Sequence, residues 1–269
     1  AQVGVLAAKA GKHLVVEKPI DVSLDAADRL IEAAQAAGVA LTVISQHRFD
    51  AGLVELTRLL GAGALGRLVL GEASTKWYRS QAYYDSAAWR GTHAMDGGSL
   101  MNQGIHYVDL LRWCMGPVAE ITAVCSTLAH QIEAEDTSLA IVRFSSGAVG
   151  TISSSTAAFP GFPQRLEITG TEGTVTVEDG QIVRRAFGAD AGLATPAGSG
   201  AGHHAAPVPG SDPGSLDVAS HAAQIADLLA AVDGGREPAV TGQGAREALE
   251  IVCAVYESSR TGRTVTLGR

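Results

Sequence analysis

The run Gly97-Gly98-Ser99-Leu100-Met101-Asn102-Gln103-Gly104-Ile105-His106-Tyr107-Val108-Asp109-Leu110-Leu111 gathers the residues of this chain best suited to chemistry. A helix from about Leu100 onward would space Asn102, His106 and Asp109 four and then three positions apart, on one face. That face is polar and can titrate. The flanking stripes, Met101, Ile105 and Val108 and then Leu100, Tyr107 and Leu111, are apolar enough to seat the helix in a core. Gly97 and Gly98 allow a tight turn into the helix, and Gly104 leaves room for something bulky to approach beside Tyr107 and Asp109. Three readings of His106 stay open at this point. It is a hydrogen-bonded core histidine, a metal ligand, or a general acid/base oriented by its helix neighbours. A metal is not expected, because His106 and Asp109 give two good ligands and no His/Cys cluster completes them. The acid/base reading needs a partner elsewhere in the chain.

The elements that would position such a partner lie near the N-terminus. Val3, Leu6, Ala7 and Ala10 recur at helical spacing up to Gly11, and His13 to Val16 reads as a short strand running into Glu17-Lys18-Pro19. Ser23 can cap a helix carrying Leu24, Ala27, Leu30, Ile31 and Ala34, ended by Gly38, and Val39 to Ile44 is a second buried strand. Helix, strand, helix, strand with short links is a parallel α/β unit, in which ligands bind beyond the carboxyl ends of the strands. Glu17, Lys18 and Pro19 stand at such an end.

After Ser45 the pattern changes. Gln46 to Phe49 leads into a helix with Leu53, Leu56, Leu59 and Leu60, closed by the glycine-rich run 61–66. A strand at 68–74 and an irregular aromatic stretch at 77–89 precede the helix at 100. Short β-branched runs then follow at 119–128, 137–144, 148–154, 165–170, 174–178 and 181–185, broken by turn signals such as Ser145-Ser146-Gly147 and Asp179-Gly180. They predict an antiparallel meander with helices on one face. The Gly/Ala/Pro-rich stretch 188–214, with His203 and His204, predicts a mobile, solvated loop. Two helices, with apolar positions from Val218 to Val232 and from Ala248 to Tyr256, and a strand at 265–267 close the chain.

The 269 residues carry a formal net charge of −8, with 46% hydrophobic and 18% charged residues. With no Lys/Arg run, this acidic balance argues against a nucleic-acid partner. No apolar stretch approaches bilayer-spanning length, so no membrane partner is expected. Cys114, Cys125 and Cys253 are odd in number and far apart, which fits no disulfide framework and suggests a reducing, cytoplasmic setting.

Gly11-Lys12-His13 followed by Val15-Val16-Glu17-Lys18-Pro19, the run 97–111, Glu135-Asp136-Thr137 before a strand ending Phe144-Ser145-Ser146-Gly147, Val240-Thr241-Gly242 and Ser258 occur in an order that resembles the glucose-fructose oxidoreductase / inositol dehydrogenase (Gfo/Idh/MocA) family. The resemblance implies a Rossmann domain that binds NAD or NADP, joined to a domain built on an open sheet that supports dimers or tetramers. The expected architecture is therefore α/β plus α+β. Residues 1–45 would be the tail of the Rossmann domain, and 46–269 a substrate-binding and oligomerisation domain with a predominantly antiparallel open sheet, covered on one face by helices.

The resemblance also implies roles. Lys18 would reach between nicotinamide and substrate, with Glu17 and Pro19 beside it at the cofactor, and His106 would be the acid/base at the reacting hydroxyl of a sugar, sugar derivative or cyclitol. Oxidising a secondary alcohol needs both a base and a cation for the developing alkoxide, and this pair supplies them. Asn102 stands where sugar and cyclitol dehydrogenases of the family often carry Asp, so it can orient but cannot take a proton. Asp109 could set the tautomer of His106 or pair structurally. Arg48, Trp89, Arg90, Gln103 and Asp109 are candidates for substrate contact.

A Rossmann domain opens with a strand, a glycine-rich phosphate turn and an acidic ribose ligand, and no such set occurs here in that order. The chain is accordingly expected to start inside the cofactor domain and to bind NAD or NADP weakly. An alternative function is a non-catalytic module serving homo-oligomerisation or sugar binding.

Overall fold

The computed structural model describes residues 1–188 and 218–268. The predicted loop at 188–214, Gly188 apart, and with it His203 and His204, lies outside the described residues.

The N-terminal unit is helix α1 (Gln2–Lys9), strand β1 (Leu14–Val16), helix α2 (Leu24–Ala37) and strand β2 (Leu41–Val43). The Ser23 side chain caps α2 by accepting from Ala26 N, and Gly38 ends the helix in the left-handed region at φ 63°. Ala27, Leu30, Ile31 and Ala34 fall on one stripe of α2 and are buried. This stripe holds β1 and β2 parallel in the register Leu14↔Leu41 to Val16↔Val43, with both carboxyl ends at one edge.

A 3-10 turn (Gln46–Phe49) leads into α3 (Ala51–Gly61) and strand β3 (Leu68–Lys76). The stretch read as irregular contains a short helix, α4 (Gln81–Asp85), capped by the Ser80 hydroxyl. Then come a π-helical turn (Leu100–Gly104), α5 (Ile105–Met115) and strands β4 (Val118–Ser126), β5 (Thr137–Phe144), β6 (Val149–Ser155), β7 (Arg165–Gly170), β8 (Gly173–Glu178) and β9 (Gln181–Phe187). Helices α6 (Ala219–Gly234) and α7 (Gly242–Thr261) and strand β10 (Val265–Thr266) complete the order.

The large sheet runs β10-β4-β5-β6-β3-β7-β8-β9. All its pairings are antiparallel except β3 with β6. The expected meander is thus interrupted, because β3 slots between β6 and β7 and separates strands that are neighbours in sequence. One face is dry. Ala123, Ala140, Val142, Ile152, Leu166 and Ile168 point inward with Leu110, Leu111, Met115, Leu249 and Val252 of α5 and α7 in a single core. On the other face Val124, Leu139 and Ile141 remain 66%, 58% and 65% exposed. Among the described residues no helix is long and apolar enough to cross a membrane.

Candidate active site

Lys18 leaves the carboxyl end of β1 and meets the start of the helix that carries His106. Its Nζ donates to the carbonyl oxygen of Asn102 at 2.8 Å and to Asn102 Oδ1 at 2.9 Å. Two acceptors from one residue hold the ammonium in place. They become available because 100–104 is π-helical, a wide turn that re-aims backbone and side chain relative to α-helical geometry. The expectation of a uniform α-helix from Leu100 is therefore corrected. Asn102 faces Lys18, whereas Asp109 faces Arg48.

The amino end of this π turn is fastened from three directions. Leu100 N donates to Glu135 Oε1 at 2.7 Å, and Ser99 N donates to the Glu135 carbonyl at 3.0 Å. Tyr256 of α7 donates its hydroxyl to the Gly97 carbonyl at 2.5 Å and accepts from Met101 N at 3.1 Å. Gly97 and Gly98 have φ of 77° and 86°, and a Cβ on Gly98 would overlap the Glu135 carboxylate. Gly104 serves packing rather than ligand entry. A Cβ there would come within 2.9 Å of Ser154 Oγ on β6, so helix and sheet approach closely.

His106 is half-buried and lines a small cleft with Lys18, Pro19, Ile20, Val43, Ile44, Ser45 and Asp109. Its ring nitrogens have no hydrogen-bond partner among the described residues. The His47 ring packs against it edge-on, with centroids 5.2 Å apart, and His47 is itself held by Asp50 at 2.7 Å. Burial, reinforced by the Lys18 charge and by His47 and His221, holds the His106 imidazole well below its ordinary pKa. A neutral ring is the form that can accept a proton. Burial likewise lowers Lys18, and the nearby Glu17 and Asp96 carboxylates oppose that shift.

The remaining sequence candidates go to different places. Arg48 and Asp109 form a buried two-point ion pair, Nε to Oδ2 at 2.8 Å and Nη2 to Oδ1 at 2.5 Å, with Trp113 under the guanidinium. Each satisfies the other's charge away from solvent, which is the structural pairing weighed for Asp109 as the alternative to orienting His106. Asp109 makes no hydrogen bond to His106. Arg90 stacks on Tyr83 and Trp89 at 4.0 and 4.7 Å, outside the Lys18 cleft lining. Gln103 is buried, and Glu17 is exposed, its carboxylate accepting from Lys18 N at 3.3 Å. Sequence reasoning missed Asp96, which accepts from Asn102 Nδ2 and, at 2.7 Å, from Gly91 N. It also missed the parts of His47, Glu135 and Tyr256. Only Glu135, in Glu135-Asp136-Thr137, lay in a stretch that had been singled out.

At the carboxyl ends of β1 and β2, Ile20, Val43 and Ile44 give an apolar floor beside the Lys18 cation. That combination fits the nicotinamide end of a dinucleotide. The connection from β1 to α2, Glu17 to Ser23, holds no glycine and carries Glu17 and Asp21, so it does not fit a pyrophosphate.

Two family models match the chain. One is the oxidoreductase family, NAD-binding Rossmann fold, over residues 1–45; the other is the GFO/IDH/MocA C-terminal domain, over residues 53–176. The WlbA dehydrogenase of Bordetella pertussis, solved with NADH and UDP-GlcNAcA, is 32% identical and superposes with a TM-score of 0.82 over 100% of this chain and 75% of that one. Myo-inositol 2-dehydrogenase of Thermotoga maritima is 31% identical across 65% of this chain and 52% of its own length. D-apiose dehydrogenase of Paraburkholderia graminis is 28% identical across 97% and 68%. The chain thus spans about half the length of the first of these curated relatives. With both of the family's domain models in sequence order and a relative matched over three quarters of its length, the chain belongs to the GFO/IDH/MocA family of oxidoreductases.

Proposed function

We propose that this chain carries the substrate side of an NAD- or NADP-dependent oxidoreductase acting on a secondary hydroxyl of a sugar, sugar derivative or cyclitol. The observation that carries the reading is the meeting of Lys18, held by Asn102, with His106 at one cleft beside the ends of β1 and β2. The names of the relatives, among them inositol, apiose and UDP-GlcNAcA dehydrogenase systems, point to the same substrate class.

A nicotinamide ring, when bound on the floor of Ile20, Val43 and Ile44 beside Lys18, would supply the hydride acceptor. In the oxidative direction His106, neutral through burial, accepts the hydroxyl proton. Lys18 has two of its N–H groups fixed by Asn102, and its third donates to the substrate oxygen as negative charge develops there. Asn102 orients the lysine and takes no proton. The apolar floor of Ile20, Val43 and Ile44 excludes water from the reacting face.

The test is reduction of NAD and NADP by the purified chain across a panel of aldoses, their nucleotide-linked and acidic derivatives, and cyclitols. His106→Gln should lower kcat by about 10²–10⁴-fold. Lys18→Met should lower it by about 10²–10³-fold. Undiminished turnover in His106→Gln would overturn the reading.

A second element of the proposal concerns assembly, and supports an oligomerising role whether or not the chain is catalytic. The outer sheet face carries Val124, Leu139, Ile141 and Val149, all large, apolar and exposed. A contiguous apolar stripe on a sheet is the mark of an interaction surface. We assign it to a homodimer or homotetramer.

A further inference from the structure

We propose that Asp96 is a positioning residue that acts on Lys18 through Asn102, fixing which end of the Asn102 amide faces the lysine. The proposal rests on the dehydrogenase reading only for what Lys18 does afterwards; the positioning itself is a statement about three side chains.

An asparagine side chain is ambiguous in its orientation. Its amide presents an acceptor on one side and a donor on the other, and the two ends are nearly the same size. A flipped Asn102 would aim an N–H₂ group at the Lys18 ammonium, turning a hydrogen bond into a repulsion. Nothing in Asn102 itself chooses the end, so the choice must come from what faces the other side. Asp96 faces it. Its Oδ1 accepts from Asn102 Nδ2, while Oδ2 accepts from Gly91 N at 2.7 Å. An ionised carboxylate can only accept, so it permits one amide orientation and leaves Oδ1 of Asn102 on Lys18 Nζ at 2.9 Å.

Asp96 is also placed to do this rigidly. It is 6% exposed, it sits in the turn that ends at Gly97, and its own N–H donates to the Thr92 carbonyl at 3.1 Å. The fixed Gly91 N–H on one oxygen opposes rotation of the carboxylate away from Asn102. The result is a line of carboxylate, amide and ammonium, in which the negative charge stands one residue behind the group it supports. The charged and titratable groups around the lysine are Glu17 on its own strand end, Asp96, and His106 from α5. Only Asp96 among them is linked to the ammonium itself through a hydrogen-bonded side chain, that of Asn102.

The test exchanges the two side chains. Asp96→Asn leaves two amides facing each other and no fixed orientation. Asn102→Asp leaves two carboxylates facing each other. The double variant, Asp96→Asn with Asn102→Asp, again pairs an amide with a carboxylate and returns an acceptor to Lys18. The readout is the pH dependence of acetylation at Lys18, measured by peptide mass spectrometry on the full chain; its midpoint follows the amine's protonation independently of the maximal rate. Asp96→Asn should move that midpoint to lower pH, so that labelling at a fixed pH below the midpoint accelerates about threefold or more. The exchanged pair should return the midpoint to the wild-type position or above it. Where turnover is measurable, Asp96→Asn should lower kcat about tenfold with KM within about twofold, and the exchanged pair should regain most of it.

An unmoved midpoint in Asp96→Asn, or an exchanged pair that behaves like Asp96→Asn alone, overturns the proposal, because a turn-forming aspartate that merely accepts from Gly91 would not be rescued from position 102. The two readings fail separately. Full turnover in Lys18→Met would remove the dehydrogenase mechanism while leaving the titration result intact, and an unshifted midpoint would remove the positioning role while leaving the mechanism intact.

Discussion

At the scale of single residues, His106 and Lys18 are pushed in the same direction by burial, and their roles make the consequences opposite. His106 must be neutral to accept a proton, and its pKa lies well below the ordinary imidazole value. The acid limb of kcat/KM for oxidation should therefore lie below about pH 6.5, the usual imidazole midpoint, and disappear in His106→Gln. Lys18 must be protonated, and its lowered pKa brings the alkaline limb in below the ordinary lysine range. A pH profile in which His106→Gln keeps the acid limb would separate that limb from this histidine. The Arg48–Asp109 pair gives a second residue-scale expectation. Both are buried, with exposures of 8% and 3%, so Asp109→Ala strands a guanidinium and should cost about 3–5 kcal/mol in urea unfolding. Replacing both by Met and Leu should recover most of that loss; a single variant within 1 kcal/mol of wild type, about the size of a surface change, would contradict the burial argument. While the pairing of Lys18 with His106 was implied by the family resemblance, that Lys18 stands at a strand's carboxyl end and His106 on a helix with a polar face was legible in the sequence. The fate of Arg48 and Asp109 was not, because spacing shows which residues share a helix face but not which charge waits on the opposite element.

At the scale of elements, the π turn decides how the site is built, and no periodicity in the sequence announces it. The wide turn exists because its amino end is pinned by Glu135 and Tyr256, both distant in sequence from Leu100. Glu135 shows what that pinning costs. Burial raises its pKa to about 7 despite hydrogen bonds from Leu100 N, Ser138 and Tyr256 that favour the anion. The folded chain therefore holds a proton that the unfolded chain has already lost near its ordinary 4.5. Stability from this group is complete below the unfolded value and declines as pH rises toward 7. The decline should amount to about 3 kcal/mol between pH 5 and pH 8, and Glu135→Gln should flatten it. Urea midpoints across that range measure the slope, and a wild-type curve that is flat or rising would show that Glu135 titrates normally. By contrast, α2 was readable outright. Ser23 and Gly38 mark its ends as capping chemistry requires.

At the scale of the whole molecule, the antiparallel character of the large sheet was legible from alternation and turn residues, but its strand order was not. The parallel pairing of β3 with β6 joins segments separated by two helices, the π turn between them and two strands. Local turn chemistry sets hairpins and is silent about such pairings. The alternation does carry one long-range message. In β5 the residues Ala140, Val142 and Phe144 are buried while Leu139 and Ile141 are exposed, so both faces of this strand are apolar. A sheet that meets water on its outer side places polar residues there, and β5 does so only at its two ends, Thr137 and Arg143, the latter paired with Glu120 at 3.1 Å. Val124 lies opposite Leu139 in the register and extends the stripe onto β4, while Val149 opposite Arg143 extends it onto β6. A self-complementary stripe of this kind is suited to an isologous contact, in which the same strands face each other across a two-fold axis. Sedimentation at micromolar concentration should then show a dimer or tetramer, and Leu139→Asp with Ile141→Asp should reduce it to monomers with the fold intact by circular dichroism. Both substitutions stand on the outer face, away from the Lys18 cleft, so loss of assembly without loss of secondary structure is the diagnostic result. A wild-type chain that stays monomeric as concentration rises would show that the stripe is covered by something other than a second copy.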